Sequence, residues 1–164
     1  MSDFYIKHIS LSDIPFFMSE CEKGARNGHL YQEILSPETN KTFEKQIRQI
    51  ILMNGSGQNT GHSILMLFRK SDERKVGFLW LCAAKDLKGR QCFEIRIINI
   101  TKSMQGKGCG TLLLSIALDE CHAHIITAKC YLGSHHMSGM LKRRGFKVMQ
   151  ISERGSEFLY LEPK

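Results

Sequence analysis

No stretch of apolar residues in this chain is long enough to cross a bilayer, and the opening Met1-Ser2-Asp3-Phe4-Tyr5-Ile6-Lys7 lacks a secretory leader, so neither a membrane nor a secreted protein is expected. No Cys-x-x-Cys pair occurs among the cysteines at 21, 82, 92, 109, 121 and 130. Most of them sit inside apolar runs, where a free thiol packs like a small hydrophobe, which fits a reducing cytoplasm better than a disulfide framework. Cys121-His122-Ala123-His124, Cys130 and His135-His136 lie close in sequence but not at zinc spacing, so no metal is expected. Internal repeats and low-complexity tracts are absent, and a charged fraction of 24% against 42% apolar excludes disorder. No Gly-x-x-x-x-Gly-Lys-Ser/Thr and no Gly-x-Gly-x-x-Gly occurs, which removes the P-loop and the dinucleotide fingerprint.

What is present is a chain of 164 residues with a formal net charge of +7, read as one domain over residues 1–164. The positive excess draws anions in general. The densest basic run, Lys142-Arg143-Arg144, reads as a solvated helix face, and aromatic residues are not interleaved with basic ones as in a single-strand stacking platform. Nucleic acid is therefore not the expected partner.

Alternation predicts an opening strand over 4–9. Ser10-Leu11-Ser12-Asp13 supplies capping chemistry for a helix over 11–24 with Leu11, Ile14, Met18 and Cys21 on one face and Pro15 in the first turn. Gly24–His29 reads as a flexible break. A second helix is expected over 37–53 with Phe43, Ile47, Ile50 and Ile51 inward, then a polar loop over 54–61. Strands at 63–69, 76–83 and 91–100 form an antiparallel meander. A glycine-rich turn and a helix follow, then a strand at 125–132 parallel to the one before the helix, with a right-handed crossover. Gly133-Ser134 opens a short helix that Gly145 stops, and 146–151 and 157–161 close as a hairpin.

The centre of this order is Gln105-Gly106-Lys107-Gly108-Cys109-Gly110-Thr111 between an apolar strand and a helix. Glycines there leave the first N–H groups of the helix bare and able to converge on one anion, with the helix dipole in support. Gln105, Gly108 and Gly110 resemble the Gln/Arg-x-x-Gly-x-Gly/Ala signature of the GNAT superfamily of acyl-CoA-dependent N-acetyltransferases. Met140-Leu141-Lys142-Arg143-Arg144-Gly145-Phe146 resembles that family's late Leu-Tyr-x-x-x-Gly-Phe segment, and the element order matches from end to end. The resemblance implies an α/β (α+β) fold with a mixed sheet of about six to seven strands flanked by about four helices. It implies acetyl-CoA as cosubstrate, no metal, and an amine acceptor on a small molecule, protein or peptide; oligomeric state, a homodimer included, stays open. It assigns the pyrophosphate to Gln105, Gly106, Lys107, Gly108, Cys109, Gly110 and Thr111. It assigns the pantetheine arm and acetyl carbonyl to backbone groups of Ile98, Asn99 and Ile100, and it adds Ser134, where the family often has Asn.

Glu94 lies eleven residues ahead of Gln105, the spacing at which histone-type members of that family carry their general base. The spacing favours a lysine or peptide amine. A second reading of Glu94 is simple pairing on the sheet surface: Glu94 and Arg96 share one strand face and satisfy each other or a neighbour on the next strand. The family's tyrosine near the leaving sulfur is replaced here by Leu141, which cannot donate a proton. Tyr131 is the substitute general acid, with Ser134, His135 and His136 nearby; departure of an unassisted thiolate is the alternative. The missing tyrosine also leaves open a module that binds acyl-CoA without transfer. Ser134 reads equally as the cap of the short helix, Lys107 as a solvated lysine, and Cys109 as a small residue between glycines.

Overall fold

A computed structural model describes residues 2–164, leaving Met1 of the expected 1–164 domain outside the described residues. The elements are β1 (Phe4–His8), α1 (Ile14–Arg26), α2 (Pro37–Gly55), β2 (His62–Arg69), β3 (Lys75–Lys85), β4 (Gln91–Ile100), α3 (Cys109–Cys121), β5 (Ile125–Cys130), α4 (His135–Arg143), β6 (Lys147–Ile151) and β7 (Glu157–Leu161). The strands form one sheet of seven in the order β1-β2-β3-β4-β5-β7-β6. β2, β3 and β4 are the expected antiparallel meander, and β4 runs parallel to β5. β7 inserts between β5 and β6, so the final hairpin joins through its second strand.

Strand alternation sorts the core into two. Ile64, Met66 and Phe68 of β2 and Phe78 and Trp80 of β3 face α1 and α2, where Phe17, Phe43 and Ile47, with Ile34 of the 3-10 turn between the helices, close over them. Phe17 lies 4.5 Å from Phe78 and 6.2 Å from Trp80 between ring centroids, an aromatic cluster with the tilted geometry such rings prefer. The intervening residues, Leu65, Leu67, Val76, Leu79 and Leu81, face the other way, onto Leu113, Leu114 and Ala117 of α3 and Met140 and Leu141 of α4.

Several boundaries differ from the sequence expectation. The segment from Leu11 to Asp13 is a 3-10 turn rather than α-helix, because the buried Asp13 carboxylate accepts from the Ser10 N–H at 2.8 Å and from Ser10 Oγ at 3.0 Å. Leu11 is consequently exposed, off the apolar face. Gly24 is not a break: α1 runs through it to Arg26, since a glycine costs a helix little when Ala25 and Cys21 beside it are buried. β5 ends at Cys130, leaving Tyr131 and Leu132 in the loop before α4. At the far end of α4 the expected stop holds: Gly145 has φ 97° and donates to Lys142 O at 3.0 Å, and Phe146 donates to Leu141 O at 3.1 Å.

Candidate active site

β4 has two unequal flanks. Against β3 it pairs from Lys85↔Gln91 to Gly77↔Ile100. Against β5 it pairs only from Cys92↔Ile125 to Ile95↔Ala128, so residues from Arg96 onward face a gap. Thr101 N–H donates to Val76 O at 2.9 Å, which turns the backbone of Thr101 and Asn99 toward β3 and that of Ile98 and Ile100 into the gap. The Ile100 carbonyl is taken by the Gln105 side-chain amide at 3.1 Å. The backbone of Ile98 is left facing open space, while the Ile98 and Ile100 side chains pack on the α3 core.

The glycine turn stands at the mouth of this gap. Gly106 and Gly108 have φ of 76° and 84°, left-handed values that other residues avoid, and a Cβ at either would meet nothing within 4 Å. The first internal bond of α3 runs from Leu112 N–H to Gly108 O at 3.0 Å. The N–H groups of Cys109, Gly110 and Thr111 therefore have no partner inside the helix. Such a cradle fits a diphosphate. The roles within it are uneven. Gln105 spends its side chain tying the turn to Ile100, Lys107 is exposed, and Thr111 Oγ1 reaches Met140 Sδ at 3.7 Å. The Cys109 side chain is 1% exposed in the core, and burial pushes its thiol up, away from nucleophilic use.

Glu94 sits one step inside the vertex of the gap, paired in register with Cys82 and Thr127. Arg96 donates from Nε to Glu94 Oε1 at 3.3 Å, so the two do pair along their own strand, and the Glu94 side chain remains 35% exposed. Trp80 pairs with Ile97 but Leu81 with Ile95, making Arg96 the extra residue of a β-bulge. Its guanidinium lies 5.1 Å from the Trp80 ring centroid, and Trp80 Nε1–H donates to His62 Nδ1 at 3.1 Å. That bond places the proton of neutral His62 on Nε2; burial and then Arg96 push its pKa down, with Glu94 opposing. Sequence reasoning missed His62, Trp80 and Arg96 as one group, because only the register of β2, β3 and β4 brings them together.

Tyr131 is half-buried beyond the end of β5, with Lys129 4.7 Å over its ring. Burial, then the charges of Glu33 and Glu94, push its phenol up, so it stays protonated at neutral pH. Tyr31 is pushed up as well, by burial first and by Tyr131 among its neighbours. Ser134 holds the N-cap position of α4 but does not cap it; its hydroxyl lies 3.3 Å from His29 Nδ1 instead. Beneath that contact a Cβ on Gly133 would come to 3.0 Å from Gly28 O, so the loops after α1 and after β5 touch. Asn99 is turned the other way, donating to Glu20 Oε1 of α1 at 3.0 Å. Leu141 is 1% exposed, sealed in the α3–α4 core away from the gap. His135 and His136 are exposed at the start of α4, and among the described residues no group of His, Cys, Asp or Glu is placed to hold a metal ion. A cleft of ≈ 180 Å³ lined by Tyr131, Ser134, His135 and Glu157 borders this end of the gap. A roomier surface hollow of ≈ 600 Å³ lies between α1 and α2, lined by Glu22, Arg26 and Asn40, on a different part of the surface.

Solved structures share this architecture. PaiA N-acetyltransferase from Thermoplasma acidophilum, in complex with coenzyme A, has a TM-score of 0.71 at 16% identity over 99% of this chain and 99% of its own. Ribosomal-protein-alanine N-acetyltransferase from Brucella melitensis gives 0.71 at 17% identity over 96% and 99%. Spermidine N-acetyltransferase from Vibrio cholerae, in complex with CoA and spermine, gives 0.71 at 14% identity over 99% and 96%. Among curated protein sequences none matches. The model of the acetyltransferase (GNAT) family matches residues 29–146, a span that takes in the bulged strand, the glycine turn, the gap and the Gly145-Phe146 stop, and the chain belongs to that family.

Proposed function

We propose that this protein is an N-acetyltransferase that uses acetyl-CoA to acetylate a primary amine, a lysine or peptide amine by the position of its base. The observation that carries the reading is the placing of the bare amides of Cys109, Gly110 and Thr111 at the mouth of a gap whose vertex holds Glu94. When bound, acetyl-CoA supplies an acetyl thioester whose C–S bond is exchanged for a C–N bond to the acceptor. The glycine turn, with Gly106 and Gly108 in left-handed conformation, holds the diphosphate, and the free backbone of Ile98 aligns the arm beside β4 as an added strand would.

The chain's remaining task is proton traffic. An alkyl ammonium with a pKa of about 10.4 costs roughly 4.6 kcal/mol to neutralise at pH 7. Glu94 takes that proton, directly or through water, and Arg96 keeps the carboxylate fixed. An N–H beyond the bulge supports the developing negative charge on the carbonyl. Tyr131, held neutral, returns a proton to the departing sulfur. Burial of all six cysteines agrees with work in a reducing, cytoplasmic setting.

The sealed Leu141 supports one competing reading, a module that binds acyl-CoA without transfer. Thiol release with a panel of amines separates the two. Melting curves with acetyl-CoA, CoA and duplex DNA test the cradle itself; stabilisation by both CoA species and not by DNA is the expected result.

A further inference from the structure

Arg96 is held as a presented group. The bulge makes it the first residue of β4 beyond the last β5 pair, at the vertex of the gap. Trp80, 1% exposed and pinned by His62, supplies a fixed flat surface beneath the guanidinium. A guanidinium carries five N–H donors. One is spent on Glu94, the buried Cys82 thiol lies beside the guanidinium, and among the described residues no oxygen accepts from either Nη. The side chain is 38% exposed, so those donors face the space an acceptor must enter. Groups of the other sign lie nearby: Glu94, bonded to Arg96 itself, and Glu33, close enough to Tyr31 and Tyr131 for its charge to bear on both.

From this pairing of signs we infer that the acceptor carries a carboxylate a few bonds from its reacting amine, as an amino acid or an acidic peptide end does. The inference rests on the acetyltransferase reading above. The ammonium enters between Glu33 and Glu94, and the carboxylate takes the two free Nη groups of Arg96 in a parallel fork. The planar fork stacked on an indole is what a carboxylate requires and what a lysine in its place would not offer. A polyamine would instead set a second cation against the guanidinium, a like-charge contact that rejects it. The net charge of +7 draws the same acidic ligands from a distance. Arg96 is thus a specificity-determining residue.

The test uses amine pairs that differ only in the carboxylate: L-lysine against cadaverine, L-phenylalanine against phenethylamine, and an acidic dipeptide against its C-terminal amide. Within accepted pairs the wild-type protein favours the carboxylate-bearing member by about tenfold or more in kcat/KM, the scale of one charge-assisted contact. Arg96→Gln collapses that ratio toward one through KM, and Arg96→Lys restores it only in part. A role confined to fixing Glu94 or the fold would lower both members together and leave the ratio intact, which overturns the proposal. Equal or better use of the carboxylate-free amines by the wild type overturns it as well. If no carboxylate-bearing amine is acetylated while CoA still raises the melting temperature, the proposal fails and the cofactor reading stands. Loss of the CoA response as well removes the reading beneath it.

Discussion

The two flanks of β4 are built from one strand and behave oppositely. Toward β3 the ladder closes so tightly at Gly77 that a Cβ would collide with the Asn99 carbonyl oxygen. Toward β5 the ladder stops at Ile95, and beyond it no strand pairs with the backbone, only the Ile100 carbonyl being taken, by the Gln105 side chain. An unpaired backbone inside a domain is expensive unless something completes it. The closed flank supplies rigidity, and the open flank uses that rigidity to hold a cradle, a carboxylate and a guanidinium at fixed places. Chemistry gathers where pairing is withheld.

Several substitutions break or sharpen this contrast. On the open flank, Glu94→Gln keeps the shape and the Arg96 contact but removes the proton acceptor. Turnover falls by about a thousandfold, within the range for a lost general base, while CoA affinity measured by calorimetry stays the same. On the closed flank, Gly77→Val forces β3 and β4 apart and lowers stability in urea by about 3 kcal/mol. Gly108→Val tests the cradle. It strains a left-handed residue by about 1–2 kcal/mol and puts a branched side chain where the diphosphate belongs, so CoA affinity drops by at least about tenfold with turnover at saturating CoA much less affected.

The smallest effect concerns pH. The folded-state pKa of His62 lies below the ordinary 6.5, so the unfolded chain takes up that proton more readily. Stability from this site is full above pH 6.5 and declines as the pH falls from there toward the depressed folded value. Arg96 adds to the depression and Glu94 resists it. Melting curves at pH 7 and pH 5.5 should show a loss of under about 1 kcal/mol that is smaller in His62→Gln, which keeps an acceptor for Trp80 without the titration.

Much of this was legible in the chain. The apolar runs Ile64–Phe68 and Val76–Leu81 mark strands, and the glycines at 106, 108 and 145 mark the turn and the helix stop before any coordinates. Glu94, singled out by its distance from Gln105 in the family resemblance, lies beside the gap. What stayed hidden depends on neighbours far apart in sequence. Nothing in 147–161 says that β7 rather than β6 pairs with β5. Gly24 looks the same in a helix as in a loop, because its permissiveness serves both. The bulge at Arg96 arises from register, and neither Trp80 nor His62 carries a local sign that an arginine will lie against the indole. Ser134 stands at the expected N-cap position without capping, since its hydroxyl meets His29 from far earlier in the chain.

The six interior thiols have a consequence for a protein that handles activated sulfur esters. Acyl groups hop readily between sulfur atoms when the recipient is an accessible thiolate. Here every candidate recipient is buried, with Cys130 pushed up to about 11 by burial and then by Glu157, so neither the anion nor the access is supplied. Transfer of the acyl group onto the protein's own cysteines is thereby disfavoured.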